Sequence, residues 1–183
     1  MTPQAADVLD FWFGPQEAAR AEWFRKDESF DAVIRLRFGA QVERSLAGGL
    51  LEWEATPEGA LARVLLLDQF TRNIFRGTAR AFAGDALALE AARAMVARGD
   101  DAKLPPLRRF FVYLPFEHSE DPAMQRESLR LFGELGLGGF LDYARRHAEV
   151  IERFGRFPHR NAVLGRDSTA EEIKFLKQPG SDF

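Results

Sequence analysis

The sequence predicts an all-α fold, and three observations carry this prediction. Apolar residues recur at spacings of three and four over most of the chain, which is the period of a helix that buries one face. Pro, Gly and capping residues stand at both ends of these segments, where helices begin and end. No alternating run rich in Val, Ile or Thr predicts a strand. We therefore expect seven to eight helices in packed antiparallel pairs, in a single helical domain spanning residues 1–183.

Four helices are predicted in the first half of the chain. Their starts and stops are Thr2-Pro3 to Gly14-Pro15, Asp27 to Gly48-Gly49, Thr56-Pro57 to about Phe70, and Gly84-Asp85 to Gly99. The second helix places Phe30, Val33 and Phe38 on one inward stripe. The third has apolar residues around most of its circumference, so it should be the central, buried helix.

The second half of the chain predicts shorter helices and tight connections. The boundaries are Pro106 to Leu114, Asp121-Pro122 to Gly136, Gly139 to Phe154, and a last short helix that ends near Lys177. For the last helix, Ser168 followed by Glu171 predicts a capping box. Asp121 is interpreted as a simple helix cap.

Composition narrows the class of protein. The chain has 46% apolar and 29% charged residues, an ordinary globular mixture, and its 17 Phe predict a large aromatic core. Arg outnumbers Lys several-fold, a skew typical of GC-rich bacterial genomes. The net charge of −3 comes without a basic stripe, which argues against a nucleic-acid partner.

The absence of cysteine excludes disulfides and Cys-ligated zinc and fits a reducing compartment. The first residues lack a basic stretch followed by a long apolar one, so no signal peptide is predicted. No apolar run is long enough to span a bilayer. These features predict a cytoplasmic protein without a membrane partner.

Two similar tracts stand out: Asp68-Gln69-Phe70-Thr71-Arg72-Asn73 and Arg156-Phe157-Pro158-His159-Arg160-Asn161. In each, Arg-Asn follows a Phe closely at the end of an apolar helical pattern. Charged and amide groups in such sequence must be paired inside the fold or line a cavity, because burying them unpaired is costly. The tracts therefore predict either a polar site or a polar strut.

The first tract leaves both interpretations open. Asp68 and Arg72 are four residues apart, which favours an ion pair on one helix face. If the tract forms a site, Asp68 holds the guanidinium while Arg72 and Asn73 face an anionic ligand. If it forms a strut, the pair ties the end of the central helix to the next loop.

The segment Leu114-Pro115-Phe116-Glu117-His118-Ser119-Glu120-Asp121 places a histidine among three carboxylates in a predicted turn. Glu117 or Glu120 could orient His118 for proton transfer, and the alternative is a locally hydrogen-bonded His118. The group could also hold a divalent metal.

The second tract offers a titratable ring, a cation and an amide in His159, Arg160 and Asn161. Arg forks onto carboxylates and phosphates, so the trio suits an anionic group, with His159 as an acid–base candidate. The alternative is a loop that satisfies helix-end carbonyls.

His147 lies on the apolar stripe of its helix, where a core role is the usual one. The spacing of the three histidines with Glu117 matches no known ligand motif, so neither a metal nor a cofactor is predicted.

Five segments together resemble one known family, the domain-of-unknown-function 924 family, nearly end to end. They are Val8-Leu9-Asp10-Phe11-Trp12-Phe13-Gly14, Trp23-Phe24, Leu66 to Gly77, Leu114 to Asp121, and Arg156 to Asn161. The resemblance implies a tetratricopeptide-like helical fold and no known activity. The family tract commonly has Pro where this chain has Thr71.

The main functional hypothesis is a pocket for an anionic small molecule, formed by Arg72, Asn73, Arg160 and Asn161. An enzyme is one form of this hypothesis. A second hypothesis is a tetratricopeptide-like scaffold that binds a peptide or protein partner. A third is a homo-oligomer formed through aromatic surface, with Trp12, Phe13, Trp23 and Phe24 as candidates.

Overall fold

A computed structural model describes residues 4–16 and 18–181, and every regular element in this part of the chain is helical. This confirms the all-α prediction, and the tetratricopeptide-like arrangement is compatible with it. The described residues form nine α-helices: α1 Ala5–Phe13, α2 Glu28–Leu46, α3 Pro57–Leu65, α4 Thr71–Ile74, α5 Asp85–Arg98, α6 Pro106–Glu117, α7 Pro122–Leu135, α8 Gly138–Phe154 and α9 Ala170–Phe175. None of these helices is long and apolar enough to cross a membrane.

The chain divides into two compact units, and each is described by itself. The first unit is Met1–Arg76 with Arg80–Pro115, and the second is Gly77–Ala79 with Phe116–Phe183. The single domain expected over residues 1–183 stays a prediction.

The centre of the first unit is α3, as its apolar circumference predicted. Thr56 caps it by accepting a hydrogen bond from the Gly59 amide, and Pro57 occupies the first helical position. All residues from Gly59 to Leu65 are buried. After α3 the chain forms a π-helical turn over Leu66–Phe70 that continues into α4, and the sequence did not predict this turn. Single π-turns inside α-helices are rare and occur often at functional sites.

The aromatic residues form the core of the first unit, as the Phe content predicted. The fully buried rings include Trp12, Phe13, Phe38, Phe70 and Phe111. Trp12 and Phe13 therefore cannot supply a self-association surface. Trp23 stacks on Trp12 with ring centroids 5.8 Å apart, and Phe24 keeps 61% of its surface exposed.

The second unit is built around α7 and α8, which pack on each other and are joined by Gly136 and Leu137. Asp121 caps α7 by accepting from the Ala123 amide at 2.7 Å, which confirms its structural interpretation. Gly136 ends the helix in the left-handed region at a φ of 69°.

One predicted helix end and one predicted face were wrong. Helix α6 continues through Pro115 to Glu117, with Leu114 and Phe116 both buried on either side of the proline. This burial offsets the backbone hydrogen bond that proline cannot donate. On α2, Val33 is 41% exposed, and Asp31 takes a buried position instead.

The capping box of α9 lies one residue later than predicted. It uses Thr169 and Glu172 rather than Ser168 and Glu171. Arg156 binds both carboxylate oxygens of Glu172, and this ion pair fixes a register that the local pattern does not distinguish. The predicted cap of α1 at Thr2 and Pro3 lies outside the described residues, and Gln4 stands at the N-cap position.

Gly84 marks a close approach of two backbones in the first unit. A Cβ atom added there would lie 2.1 Å from the Leu67 carbonyl oxygen, which a side-chain movement cannot relieve. We expect Gly84→Ala to lower the free energy of unfolding by about 1–3 kcal/mol, measured by urea denaturation. Gly133→Ala is the matched control, because nothing lies within 4 Å of its added methyl and Ala favours the helix. Equal stability of both variants would contradict the close approach.

Candidate functional site

The first Arg-Asn tract lies in the first unit, where carboxylates hold its arginine. Arg72 Nη1 lies 3.0 Å from Asp68 and 2.8 Å from Asp85, and Nη2 donates to the other Asp85 oxygen at 3.2 Å. Burial alone would lower the pKa of Arg72, but the two carboxylates outweigh it and raise this pKa above its ordinary value. The predicted pair of Asp68 and Arg72 is therefore present.

Asn73 is also held inside the first unit. Its side-chain amide donates to Asp31 at 2.6 Å, and Arg76 binds the same carboxylate at 2.8 and 3.0 Å. These bonds tie the residues after the π-turn to α2, more than 40 positions earlier in the chain. Such contacts are typical of a polar strut, and a ligand-binding role for Asp68, Arg72 and Asn73 stays a prediction.

The second tract contributes to a cluster that contains all three histidines of the chain, within the second unit. Its centre is the fully buried ring of Phe157. The ring centroid of His147 lies 5.6 Å away in edge-to-face geometry, and that of His159 lies 5.7 Å away. The Arg160 guanidinium lies over the same ring, 4.5 Å from its centroid. We call Glu117, His118, His147, Phe157, His159 and Arg160 the histidine cluster.

The backbone of Phe157 is clamped by an ion pair. Its amide donates to Glu120 Oε1 at 2.8 Å, and its carbonyl accepts from Arg166 at 3.1 Å. Arg166 and Glu120 bind each other at 2.8 Å. Burial would raise the pKa of Glu120, but its bonds to Arg166 and to the Phe157 amide lower it instead. Glu120 thus positions the Phe157 ring. Of the two carboxylates that were predicted to orient His118, Glu117 is the one that stays a candidate.

Glu117, the last residue of α6, lies beside His147 of α8. Its Oε1 atom is 3.3 Å from His147 Nδ1, which also lies 2.9 Å from the Tyr143 carbonyl oxygen. Burial, reinforced by the neighbouring His118, lowers the pKa of His147 to about 3. His147 is therefore a neutral imidazole at neutral pH.

His118 joins these two residues. The ring centroids of His118 and His147 are 6.1 Å apart. One nitrogen from each ring and one Glu117 oxygen all lie within 4.8 Å of one another. Arg160 donates to the His118 carbonyl oxygen at 3.0 Å, which fixes the backbone of this residue. His118 and His159 are half-buried, whereas Glu117, His147 and Arg160 are buried.

The four residues first predicted to share one pocket are distributed over both units. Arg72 and Asn73 belong to the first unit, and Arg160 and Asn161 to the second. Asn161 is buried and donates to Ser168 Oγ at 3.0 Å, so it fastens the segment that leads into α9. Within the second tract, the ring of His159 and the guanidinium of Arg160 reach Phe157.

Sequence reasoning missed two participants. His147 was interpreted as a core residue, and a polar residue on an apolar stripe gives no further signal. Gln125 of α7 is buried and donates to the carbonyls of Glu117 and Ser119 at 2.7 and 2.6 Å, which holds the end of α6. The sequence signal for Gln125 was its spacing of three residues from Ser128, which places both polar side chains on the inward face of α7.

A cleft of about 270 Å³ lies elsewhere, in the first unit, and contains none of the predicted site residues. Its lining includes Arg63, which is buried and bound to Glu54 and to the Gly49 carbonyl. The titratable groups of its lining are thus this ion pair and Glu90.

Comparison with known proteins supports the fold and leaves activity open. A family model described as "Bacterial protein of unknown function (DUF924)" matches residues 8–180. A solved structure of a protein of unknown function, ATU0120 from Agrobacterium tumefaciens, is similar to this chain at 43% identity and a TM-score of 0.88, covering 94% of this chain and 96% of the other. No curated protein matches. The chain belongs to the DUF924 family of bacterial proteins of unknown function.

Proposed function

We propose that the histidine cluster binds a small anionic molecule, with Arg160, His159 and His118 as its contacts. The observation that carries this proposal is the packing of His147, His159 and the buried Arg160 on the Phe157 ring, with His118 beside His147. Phe157 is held at its backbone and at its ring face, so the groups around it are pre-positioned. Pre-positioned donors bind more tightly because little side-chain freedom is lost on binding.

The electrostatics of the cluster favour an anion. The pKa of His147 is lowered first by burial and then by the charges of His118, His159 and Arg160. Burial disfavours a charge of either sign, whereas the positive charges of these three neighbours favour a negative charge beside the ring. A guanidinium further suits the planar fork of a carboxylate or phosphate.

Arg160 differs from the arginine of the first tract in the kind of partner that it has. Arg72 is bound by two carboxylates, which cancel its charge locally. Arg160 donates to a backbone carbonyl and lies over a ring, and its charge also contributes to lowering the pKa of Glu120.

Proton NMR of the histidine rings tests this proposal, because the chain has only three histidines. Inorganic phosphate and succinate are the two probes. We expect one of them to shift the ring signals of His118 and His159 in a saturable way. Arg160→Lys keeps the charge but loses the planar fork, so it should weaken binding by about tenfold or more.

Arg153→Lys is the matched control. Arg153 also lies over a Phe ring and pairs with Glu171, but it is half-exposed on α8 and outside the cluster. Its replacement should leave the titration unchanged. Ring signals that stay still with both probes, or that move equally in the Arg160 and Arg153 variants, contradict the proposal.

Acid–base roles for His118, His159 and Glu117, the scaffold that binds a peptide or protein, and the cytoplasmic location stay predictions. The exposed large apolar side chains lie on several elements, among them Val33 and Leu36 on α2 and Tyr143 on α8. Scattered exposed apolar residues are normal on a protein surface. They do not favour the scaffold over the anion site.

A further inference from the structure

We propose that Glu117, His118 and His147 bind one divalent transition-metal ion of the zinc type within the histidine cluster. No sequence motif indicated this site, because two of the ligands are adjacent in the chain and the third lies about 30 positions later on another helix. The inference deepens the proposed function and rests on it in one respect: the anion would occupy an open position on the metal.

Three potential ligand atoms lie near one another. One ligand atom from each residue lies within 4.8 Å of the other two. Ligands bound to zinc at about 2.1 Å in tetrahedral geometry stand about 3.4 Å apart. The three side chains therefore have to approach one another by up to about 1.4 Å to close around an ion.

The kinds of ligand select the class of metal. Two imidazoles and one carboxylate match the three-ligand sites of catalytic zinc and of other divalent transition metals. Magnesium and calcium prefer sets made of oxygen alone. Three protein ligands also leave a coordination position for water or for an oxygen of a bound anion.

His147 is already prepared to act as a ligand. The Tyr143 carbonyl can only accept a hydrogen bond, so Nδ1 carries the proton in their 2.9 Å contact. The other ring nitrogen, Nε2, then keeps the lone pair that a metal requires. Metal-binding histidines commonly donate their second nitrogen to a carbonyl or carboxylate in this way.

The surroundings hold the ligands in place and set the charge of the loaded site. Gln125 fixes the backbone of Glu117, and Arg160 fixes that of His118. Arg160 would also repel a cation, a cost that the Glu117 carboxylate offsets only in part. A metal-loaded site would therefore carry excess positive charge, and an anion bound beside Arg160 would balance it.

The test uses the full chain, stripped of metal on a chelating resin and titrated with Zn²⁺ by calorimetry. We expect one ion per chain, and Co²⁺ should give visible absorption bands typical of low coordination number. His118→Ala and Glu117→Gln should each weaken Zn²⁺ binding by about 100-fold. Far-UV circular dichroism and thermal melting show whether the variants are folded.

Glu134→Gln is the matched control for Glu117→Gln. Glu134 also lies in the second unit, but its side chain is 60% exposed, pairs with Arg130 and is outside the group of three ligands. We expect its replacement to change the Zn²⁺ affinity by less than about threefold, since it removes no metal–ligand bond. Weak Zn²⁺ binding of variable stoichiometry, or binding that the His118 and Glu117 variants leave unchanged, overturns the metal site.

Repeating the phosphate and succinate titrations with and without Zn²⁺ separates the two proposals. Zn²⁺ binding that depends on His118 and Glu117, with no response to either anion, supports the metal site and overturns the anion site. Anion binding to metal-stripped protein, without specific Zn²⁺ binding, overturns the metal site and supports the proposed function. Anion binding that strengthens with Zn²⁺ supports both.

Discussion

Phe157→Ala is expected to lower the free energy of unfolding of the second unit by about 3–5 kcal/mol. The side chain is fully buried, and Val150 and Ile151 of α8 belong to the same core cluster. Removing the ring leaves a cavity and deprives Arg160 and His147 of their ring contacts. Urea denaturation followed by circular dichroism measures the loss.

The same variant should also disturb the site. Without the ring, Arg160 and His159 lose the surface on which they lie, so the three histidine ring signals should broaden or shift before any ligand is added. Phe154→Ala is the control, because Phe154 is only partly buried and packs on Phe175. We expect it to cost about half as much or less, since less surface is buried. Equal losses in the two variants would show that Phe157 has no special place in the second unit.

Asp31→Ala is expected to lower the free energy of unfolding of the first unit by about 2–3 kcal/mol, because it removes the acceptor of the buried Asn73 amide and the partner of the partly exposed Arg76. Asp31 is 8% exposed and accepts hydrogen bonds from Asn73 and Arg76. Its removal leaves the Asn73 amide buried without this acceptor and separates α2 from the residues after the π-turn. Thermal and urea unfolding both measure the change.

Glu43→Ala, on the same helix, is the matched control for Asp31→Ala. Glu43 binds Arg80 through both oxygens at 2.8 Å, but both side chains are 54% exposed. An exposed pair of this kind contributes about 0–1 kcal/mol because water screens it. If the two variants lose the same stability, the strut interpretation of the first tract is wrong. If Asp31→Ala loses far more stability than Glu43→Ala, Asn73 has a structural role in the first tract.

Local patterns sufficed for most of the helices. Thr56-Pro57 and Asp121-Pro122 opened helices where predicted, and Gly99 and Gly136 ended them. These signals act within a few residues, through capping oxygens, the fixed φ of proline and the left-handed conformation of glycine. They failed where a distant contact decided the outcome, as when Arg156 selected Glu172 as the capping-box partner.

The two Arg-Asn tracts show the same limit in the candidate site. Their composition indicated buried polar groups, and the structure places Asn73, Arg160 and Asn161 in buried positions. The choice of partner for each one depended on residues far along the chain. Asn73 is matched by Asp31 of α2, and Arg160 by the His118 carbonyl that follows α6.

The sequence by itself determined the all-helical class, most helix boundaries, the aromatic core and the positions at which polar groups had to be satisfied. Only the tertiary structure decided which of these groups meet. It placed His147 beside Glu117 and His118, packed His147 and His159 on the Phe157 ring, and introduced the π-turn before Arg72. The physical reason is range: helix periodicity and capping act over a few residues, whereas the meeting of side chains depends on how helices distant in sequence pack.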